Sequence, residues 1–148
     1  MGMRSPAQLV ASFRASGRKV TPQREGIFRA LHDDPTHPTA EAVHARIVAD
    51  MPSVSLRTVY STLHELAEMG ELHQLDLGTG STRFDPNVDE HHHLVCATCG
   101  SVEDVDARFP EVVLPDDDDS GFAVESTEIV FRGTCRRCQH ATGPDRAP

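Results

Sequence analysis

The sequence predicts an α+β fold in two halves, an N-terminal winged helix-turn-helix domain followed by a C-terminal α/β domain. Three observations lead to this prediction. Apolar residues recur at helical spacing through residues 6–69, the pattern then changes to short strand-like runs, and the second half carries two C-x-x-C motifs. Several helices followed by a hairpin is the order typical of a winged helix-turn-helix.

Local signals define the first three predicted helices. One helix covers 6–15, and a second is capped by Thr21 and begins at Pro22, a residue suited to the first helical position. A third begins at Pro38-Thr39. It ends before Pro52, because a residue that precedes proline avoids helical backbone angles.

The fourth helix has the clearest pattern and is followed by a hairpin. Ser55 caps it and Gly70 ends it. Its buried stripe repeats at i, i+4 and i+7: Val59, Leu63 and Leu66. Strand-like runs at 71–77 and 81–85 then flank Gly78-Thr79-Gly80, which predicts a turn between two strands.

The second half is predicted to contain three strands, at 93–96, 102–105 and 122–131. Pro110, Pro115 and the run Asp116 to Asp119 interrupt the region between the last two, so we expect a short or broken helix there. The predicted first domain is 1–85, the linker 86–91 and the second domain 92–148.

The net charge of −9 is unevenly distributed. Residues 1–84 contain nine Lys/Arg and nine Asp/Glu, whereas residues 85–148 contain five and fourteen. The acidic total therefore does not exclude nucleic acid as a partner of the first half. No apolar run reaches the roughly 18–20 residues of a membrane span, and residues 1–15 lack the apolar stretch of a signal peptide. We expect a soluble cytoplasmic protein without a membrane partner.

All four cysteines lie in two identical units, Cys96-x-x-Cys99 and Cys135-x-x-Cys138. Two such knuckles supply the four thiolates of a tetrahedral zinc site, so we expect structural Zn²⁺. Two disulfides or redox-active dithiols are the alternatives. The expected cytosolic setting and the absence of a βαβ pattern around either motif disfavour both.

A second cluster combines imidazoles with carboxylates. His91 and His93 lie two residues apart in an extended segment and therefore point to one face, whereas His92 points to the other. Asp104 lies on the next predicted strand. Such ligands suit Fe²⁺, Mn²⁺ or Zn²⁺. A solvated, histidine-rich linker is the alternative.

Six motifs occur in an order and at spacings that resemble the ferric uptake regulator family. They are residues 18–24 (RKVTPQR), 37–40 (HPTA), 55–60 (SLRTVY) and 91–96 (HHHLVC), together with both C-x-x-C units. The resemblance covers roughly residues 7–138 and is greatest to the peroxide-responsive (PerR-like) branch. It implies a dimeric, metal-dependent repressor whose second domain is the dimerisation domain.

In that branch three histidines and two aspartates hold a regulatory Fe²⁺ or Mn²⁺. The matching residues here are His37, Asp85, His91, His93 and Asp104. The aspartate at position 85 is informative, because iron-uptake members usually have Glu there. The resemblance further implies that one ion ties the two halves together, and that peroxide acting on the Fe²⁺ form oxidises His37 or His91 while the Mn²⁺ form is insensitive.

Two departures from the family pattern are visible. Some members use a histidine of the last strand in a further metal site, but Thr127 occupies that position here. Glu90, His92 and Glu111 are then remnants of that site, and we do not expect it to be filled. The helix that usually precedes the last strand is interrupted by Pro115 and the aspartates, which affects the expected shape of the dimer interface.

The predicted partner is double-stranded DNA with a palindromic operator, since a twofold dimer presents two equivalent recognition helices. Residues near the start of the fourth helix are expected to face the bases: Arg57, Thr58, Tyr60 and Ser61. Four basic residues are expected to bind phosphates: Arg14, Arg18, Lys19 and Arg24. For Arg57 the alternative is an ordinary surface arginine, and for Tyr60 it is packing against the preceding helix.

We expect neither an enzyme nor a small organic substrate. Within the same class, an iron, manganese or zinc uptake regulator without peroxide chemistry is the alternative. From other classes, two histidines and an aspartate also resemble the facial triad of a non-haem iron oxygenase, and the paired knuckles also suit a zinc-ribbon interaction module without a DNA role.

Overall fold

A computed structural model describes residues 2–118 and 120–141 of the chain. It divides into two compact units, Met1–Asp89 and Glu90–Pro148. The division falls within the predicted linker, 86–91. Pro86 and Asn87 belong to the first unit, because the backbone N–H of Met3 donates to the carbonyl oxygen of Pro86 (2.8 Å) and Gly2 forms a bridge with Asn87. Of the predicted ranges, residues 1, 119 and 142–148 lie outside the described residues.

Four helices form the first unit, as predicted: α1 (Pro6–Ala15), α2 (Pro22–Leu31), α3 (Ala40–Ile47) and α4 (Leu56–Glu68). Each begins after a hydroxyl residue whose oxygen accepts a backbone N–H of the first turn: Ser5, Thr21, Thr39 and Ser55. Such caps satisfy donors that a helix leaves without partners at its start. At the other end of α4, Gly70 has φ 77°, a conformation that glycine adopts readily.

The core of the first unit lies between these helices. The stripe predicted for α4 is fully buried, and Phe13 of α1 meets Phe28 of α2 edge-on with ring centroids 5.0 Å apart. Edge-on packing is favourable for aromatic rings because it sets a positive edge against a negative face. Because the apolar stripe of α4 packs into this core, the opposite face of that helix stays exposed.

The predicted hairpin is present with shorter strands, β1 (His73–Leu75) and β2 (Arg83–Asp85), paired antiparallel. Strand β2 also contacts the loop that precedes α3. The Phe84 N–H donates to the carbonyl oxygen of Pro38 (2.9 Å), and Arg83 Nη1 donates to that of His37 (3.1 Å). The hairpin is thus joined to the loop that precedes α3.

A three-stranded sheet forms the second unit. Strand β3 (His92–Cys96) lies at its centre, antiparallel to β4 (Val102–Val105) and parallel to β5 (Val130–Gly133). A short helix, α5 (Arg136–Ala141), follows the last strand. The α+β class is confirmed, and β3 and β4 closely match the predicted runs.

The segment between β4 and β5 corrects one prediction. We expected a strand over 122–131, but the paired strand covers only 130–133, because 122–128 has no neighbouring strand in the described chain with which to pair. The expected broken helix is confirmed as a single 3₁₀ turn, Asp116–Asp118. No helix within the described ranges has the length and apolarity of a bilayer span.

Candidate functional site

The four cysteines of the second unit converge on one point. Their sulfur atoms all lie within 4.8 Å of one another, and none forms a disulfide. The knuckle at the end of β3 closes through Gly100, whose N–H donates to the carbonyl oxygen of Cys96 (2.9 Å) at φ 74°. The second knuckle follows β5, so pairing of β3 with β5 brings the two together.

The spacing of these sulfurs fits zinc. Cys99 Sγ and Cys135 Sγ are 3.8 Å apart. With Zn–S bonds of about 2.3 Å, a tetrahedral site requires sulfurs about 3.8 Å apart, whereas a disulfide requires about 2.05 Å. The disulfide alternative therefore does not match this geometry.

Hydrogen bonds lower the pKa of two of the four thiols. The backbone N–H groups of Cys135 (3.3 Å) and Cys99 (3.5 Å) donate to Cys96 Sγ and lower the pKa of Cys96 to about 7. Hydrogen bonds from Ser101 lower the pKa of Cys99 to about 5. The neighbouring sulfur of Cys135 raises the pKa of Cys138 to about 12. Four adjacent thiols resist losing all their protons because like charges repel, and a dication removes that penalty.

The first unit contributes a buried histidine–carboxylate pair. His37 Nε2 lies 3.2 Å from Asp85 Oδ2, and both side chains are almost fully excluded from solvent. Asp85 is the last residue of β2, and the bonds from Arg83 and Phe84 described above hold the loop that carries His37. The N–H of Asn87 donates to Asp85 Oδ1 (2.9 Å), which leaves Oδ2 directed at the imidazole.

The second unit contributes a group of two histidines and one aspartate. Asp104 of β4 pairs in register with His93 of β3. Its Oδ1 lies 3.0 Å from His91 Nε2 and 3.6 Å from His93 Nε2. The two imidazoles are buried and their ring centroids are 4.5 Å apart. These closely spaced imidazole and carboxylate groups, of which only Asp104 is partly exposed, suit Fe²⁺ or Mn²⁺ in both units.

His92 points away from that group, as the strand alternation predicts. Its Nδ1 accepts the N–H of Ile129 (3.0 Å) and its ring packs on Phe109. The cleft beside it is also lined by Glu90 and Thr127, two of the residues considered for a further metal site, whereas Glu111 is not among its lining residues.

The exposed face of α4 carries the residues expected to read bases. Arg57 and Ser61 are exposed and Thr58 is half-buried. Tyr60 is half-buried as well, and its hydroxyl donates to Glu41 Oε1 of α3 (2.7 Å), a bond that lowers the pKa of Glu41 and raises that of Tyr60. Tyr60 therefore makes the contact with the preceding helix that we considered as the alternative, through its hydroxyl.

The four basic residues expected at phosphates differ in their surroundings. Arg14 and Lys19 are exposed. Arg24 makes a two-point contact with Glu65 of α4, with Nη2–Oε1 at 2.6 Å and Nη1–Oε2 at 3.2 Å, and Arg18 Nε lies 3.4 Å from the same carboxylate. The sequence did not reveal Glu65 as a partner, since Arg24 and Glu65 lie 41 positions apart.

We expect zinc to be required for folding of the second unit, because zinc binding contributes about 10 kcal/mol or more in comparable small sites. Replacing the buried Cys138 with Ser removes one ligand, so metal analysis should show loss of one zinc ion per chain and circular dichroism should show loss of sheet. Thr98→Ala, in the first knuckle, is the matched control. Full zinc retention in Cys138→Ser would contradict the assignment.

Known proteins resemble this chain over most of its length. The sequence profile of the Ferric uptake regulator family matches residues 15–132. The peroxide-responsive repressor PerR of Staphylococcus aureus (strain USA300) is 34% identical over 133 residues, covering 88% of each chain. Among solved structures, the ferric uptake regulator Fur of Helicobacter pylori matches with a TM-score of 0.76 at 20% identity, over 97% of this chain and 99% of that one.

The fold is also similar to that of PerR from Streptococcus pyogenes, described in connection with peroxide sensing and gene regulation. That match has a TM-score of 0.54 at 23% identity and covers 94% of this chain and 96% of the other. The structural matches establish the shared fold, while the sequence matches extend over most of the chain. The chain therefore belongs to the ferric uptake regulator family.

Proposed function

We propose that the protein is a metal-dependent transcriptional repressor controlled by one divalent ion bound to residues of both units. The proposed ligands are His37, Asp85, His91, His93 and Asp104. The observation that carries the proposal is that each unit holds part of this set: a buried histidine–carboxylate pair in the first, and two buried histidines beside the partly exposed Asp104 in the second. Buried groups of this kind are costly unless they are compensated by hydrogen bonds or a cation.

An ion shared by both units would couple metal binding to the DNA-binding unit. His37 precedes α3, and α3 packs on α4 in the core. Fixing His37 relative to the second unit therefore fixes the helix that reads DNA. Metal binding would then favour the conformation that binds the operator, and metal loss would release it.

In the first unit we propose that α4 enters the major groove. Arg57 and Ser61, exposed near its N-terminal end, and Thr58 face the bases. Arg57 is suited to a guanine edge through its two parallel donors. Because the hydroxyl of Tyr60 is bonded to Glu41, its ring offers an apolar contact to a thymine methyl. The exposed Arg14 and Lys19 contact phosphates directly, whereas Arg18 and Arg24 do so by exchanging the Glu65 carboxylate for a phosphate.

We propose a homodimer formed through the second unit. Its large exposed apolar residues are Leu94, Val112, Val113, Leu114, Phe122, Val124 and Phe131. Leu94 and Phe131 are partners in the β3–β5 register, so they lie side by side on the sheet. An exposed apolar surface of this kind is typical of a subunit interface, and a twofold dimer implies a palindromic operator with half-sites about one DNA turn apart.

Peroxide is the proposed signal. The relative from S. aureus is named as a peroxide-responsive repressor, and the carboxylate at position 85 is Asp, as in that branch. Ferrous iron, when bound, supplies the electron that reduces peroxide to a reactive oxygen species. His37 and His91 are the proposed targets of oxidation, and a modified ring no longer serves as a ligand. If this chain were instead an uptake regulator without peroxide chemistry, the same five residues would hold the ion but would not be oxidised.

A shared ion predicts that a change in either unit has the same effect. Asp85→Asn and Asp104→Asn each remove a charged ligand while preserving side-chain shape, and the amide introduced at position 85 retains an oxygen for the Asn87 N–H. In the unmodified protein we expect Mn²⁺ to raise operator affinity by a factor of the order of 5–150, as in a typical coupling. In both variants we expect Mn²⁺ to leave operator affinity almost unchanged. Gel-shift titration with and without Mn²⁺ measures it.

Asp106→Asn, an exposed change just beyond β4, is the matched control and should retain the gain. Zinc content should be unchanged in every variant. If metal still strengthened operator binding in Asp85→Asn as it does in the unmodified protein, the ion would not act through the first unit. An oxygenase or a zinc-ribbon module would show no metal-dependent binding to a palindrome at all.

Peroxide treatment of the Fe²⁺ form should add one oxygen atom to a peptide containing His37 or His91 and should release DNA, because the oxidised ligand is lost. Mass spectrometry of the digested protein locates the change, and the Mn²⁺ form is the control that should remain unmodified. Asp85→Glu introduces the residue that iron-uptake members usually have at this position, and it should slow the oxidation of His37 or His91. Release of DNA from unmodified protein would contradict this mechanism.

Arg57 and Lys19 should differ in their effects on DNA binding. Arg57→Ala should weaken operator binding by about 1–3 kcal/mol and leave unrelated DNA nearly unaffected, since a bidentate base contact discriminates by that amount. Lys19→Ala should weaken both and lower the slope of log K against log salt by about 1, as expected for one lost phosphate contact. If Arg57→Ala weakened binding to the operator and to unrelated DNA equally, Arg57 would contact the DNA phosphates and not a base.

A further inference from the structure

His93 has a carboxylate on each side of its imidazole ring. On one side Nε2 lies 3.6 Å from Asp104 Oδ1, and on the other Nδ1 lies 2.7 Å from Glu128 Oε1. The His93 side chain is 3% exposed, whereas that of Glu128 is 45% exposed. The Glu128 carboxylate therefore reaches a buried ring from the protein surface.

The position of Glu128 is set by backbone hydrogen bonds to β3. The next residue, Ile129, accepts the N–H of His93 at its carbonyl oxygen (3.0 Å) and donates its own N–H to His92 Nδ1 (3.0 Å). The chain then continues into β5, whose Val130 pairs with His93 in the parallel register. With Ile129 bonded at both its N–H and its carbonyl, Glu128 is held beside the His93 ring.

The short contact determines which ring nitrogen carries the hydrogen. An ionised carboxylate only accepts hydrogen bonds, so at 2.7 Å Nδ1 must be the donor. In the neutral ring Nε2 then carries no hydrogen and has the lone pair that a metal ligand needs. Nε2 is also the atom directed at Asp104, beside His91 Nε2, which lies 3.0 Å from the same oxygen.

We propose that Glu128 is a positioning residue that holds His93 in the Nδ1–H form with Nε2 directed at Asp104. The proposal deepens the function proposed above and rests on it, because the benefit of this tautomer is a prearranged nitrogen for the regulatory ion. Carboxylate partners that orient ligand histidines in this way commonly change metal affinity by 10–100-fold when they are removed. The partial exposure of Glu128 favours an effect of about 10-fold.

The first measurement is made on protein that contains zinc but no regulatory ion. Long-range ¹H–¹⁵N correlation spectra of the histidine rings report the tautomer of His93 directly. We expect Nδ1–H in the unmodified protein and a shift towards Nε2–H in Glu128→Ala, because the acceptor at Nδ1 is gone. Glu128→Gln keeps an oxygen acceptor and should restore most of the original spectrum. Glu125→Ala, an exposed loss of the same charge in the same segment, should leave it unchanged.

The second measurement is Mn²⁺ affinity, obtained from the free-ion signal in electron paramagnetic resonance. Glu128→Ala should bind about 10-fold more weakly, Glu128→Gln should bind nearly as well as the unmodified protein, and Glu125→Ala should be unaffected. Nε2–H in the unmodified protein, or an unchanged tautomer and affinity in Glu128→Ala, would overturn the role of Glu128. If the unmodified protein failed to bind Mn²⁺ or Fe²⁺, the proposed function would fail, while the ring spectra would still decide the tautomer.

Discussion

The proposed regulation depends on two hydrogen bonds that join β2 to the loop before α3. They run from the N–H of Phe84 to Pro38 and from the guanidinium of Arg83 to the carbonyl of His37. They help to set the relation between His37 and Asp85, which lie far apart in the sequence and whose side chains are 3.2 Å apart. They join the hairpin, the loop before α3 and one histidine–carboxylate pair within the first unit, so a ligand at that pair would act on the helix that follows the loop.

Strand β3 has a similar role in the second unit, since it carries His93 near one end and Cys96 at the other. The sheet has only three strands in the described chain and a small apolar interior, with Val95, Cys96 and Val102 buried. A zinc ion in the sulfur cluster would compensate for that small core. It would also fix the end of β3, and therefore the direction in which the histidine side chains of the same strand point. The two proposed ions thus have different tasks on one strand, one structural and one regulatory.

Local signals in the sequence predicted much of this arrangement. Caps, prolines and the apolar stripe of α4 act within one or two turns, so the four helices could be located from the sequence alone. The sequence predicted that Asp104 lies on the strand after β3, whereas its register opposite His93 became visible only in the structure. Contacts between distant segments could not be derived in this way: Glu65 with Arg24 and Glu128 with His93 depend on how separate elements pack. The predicted strand over 122–131 was too long because a strand pattern does not reveal whether a partner strand is available.

The backbone of His37 lies in the left-handed region, at φ 53°. For a residue with a β-carbon this conformation costs about 1–2 kcal/mol, and the hydrogen bonds from β2 to residues 37 and 38 help to offset that cost. The loop is therefore inclined to relax when its attachment is weakened. An ion held by His37 would oppose that relaxation, and a damaged imidazole would allow it. The backbone strain in this one residue would then contribute to release of the loop once the imidazole no longer binds the ion.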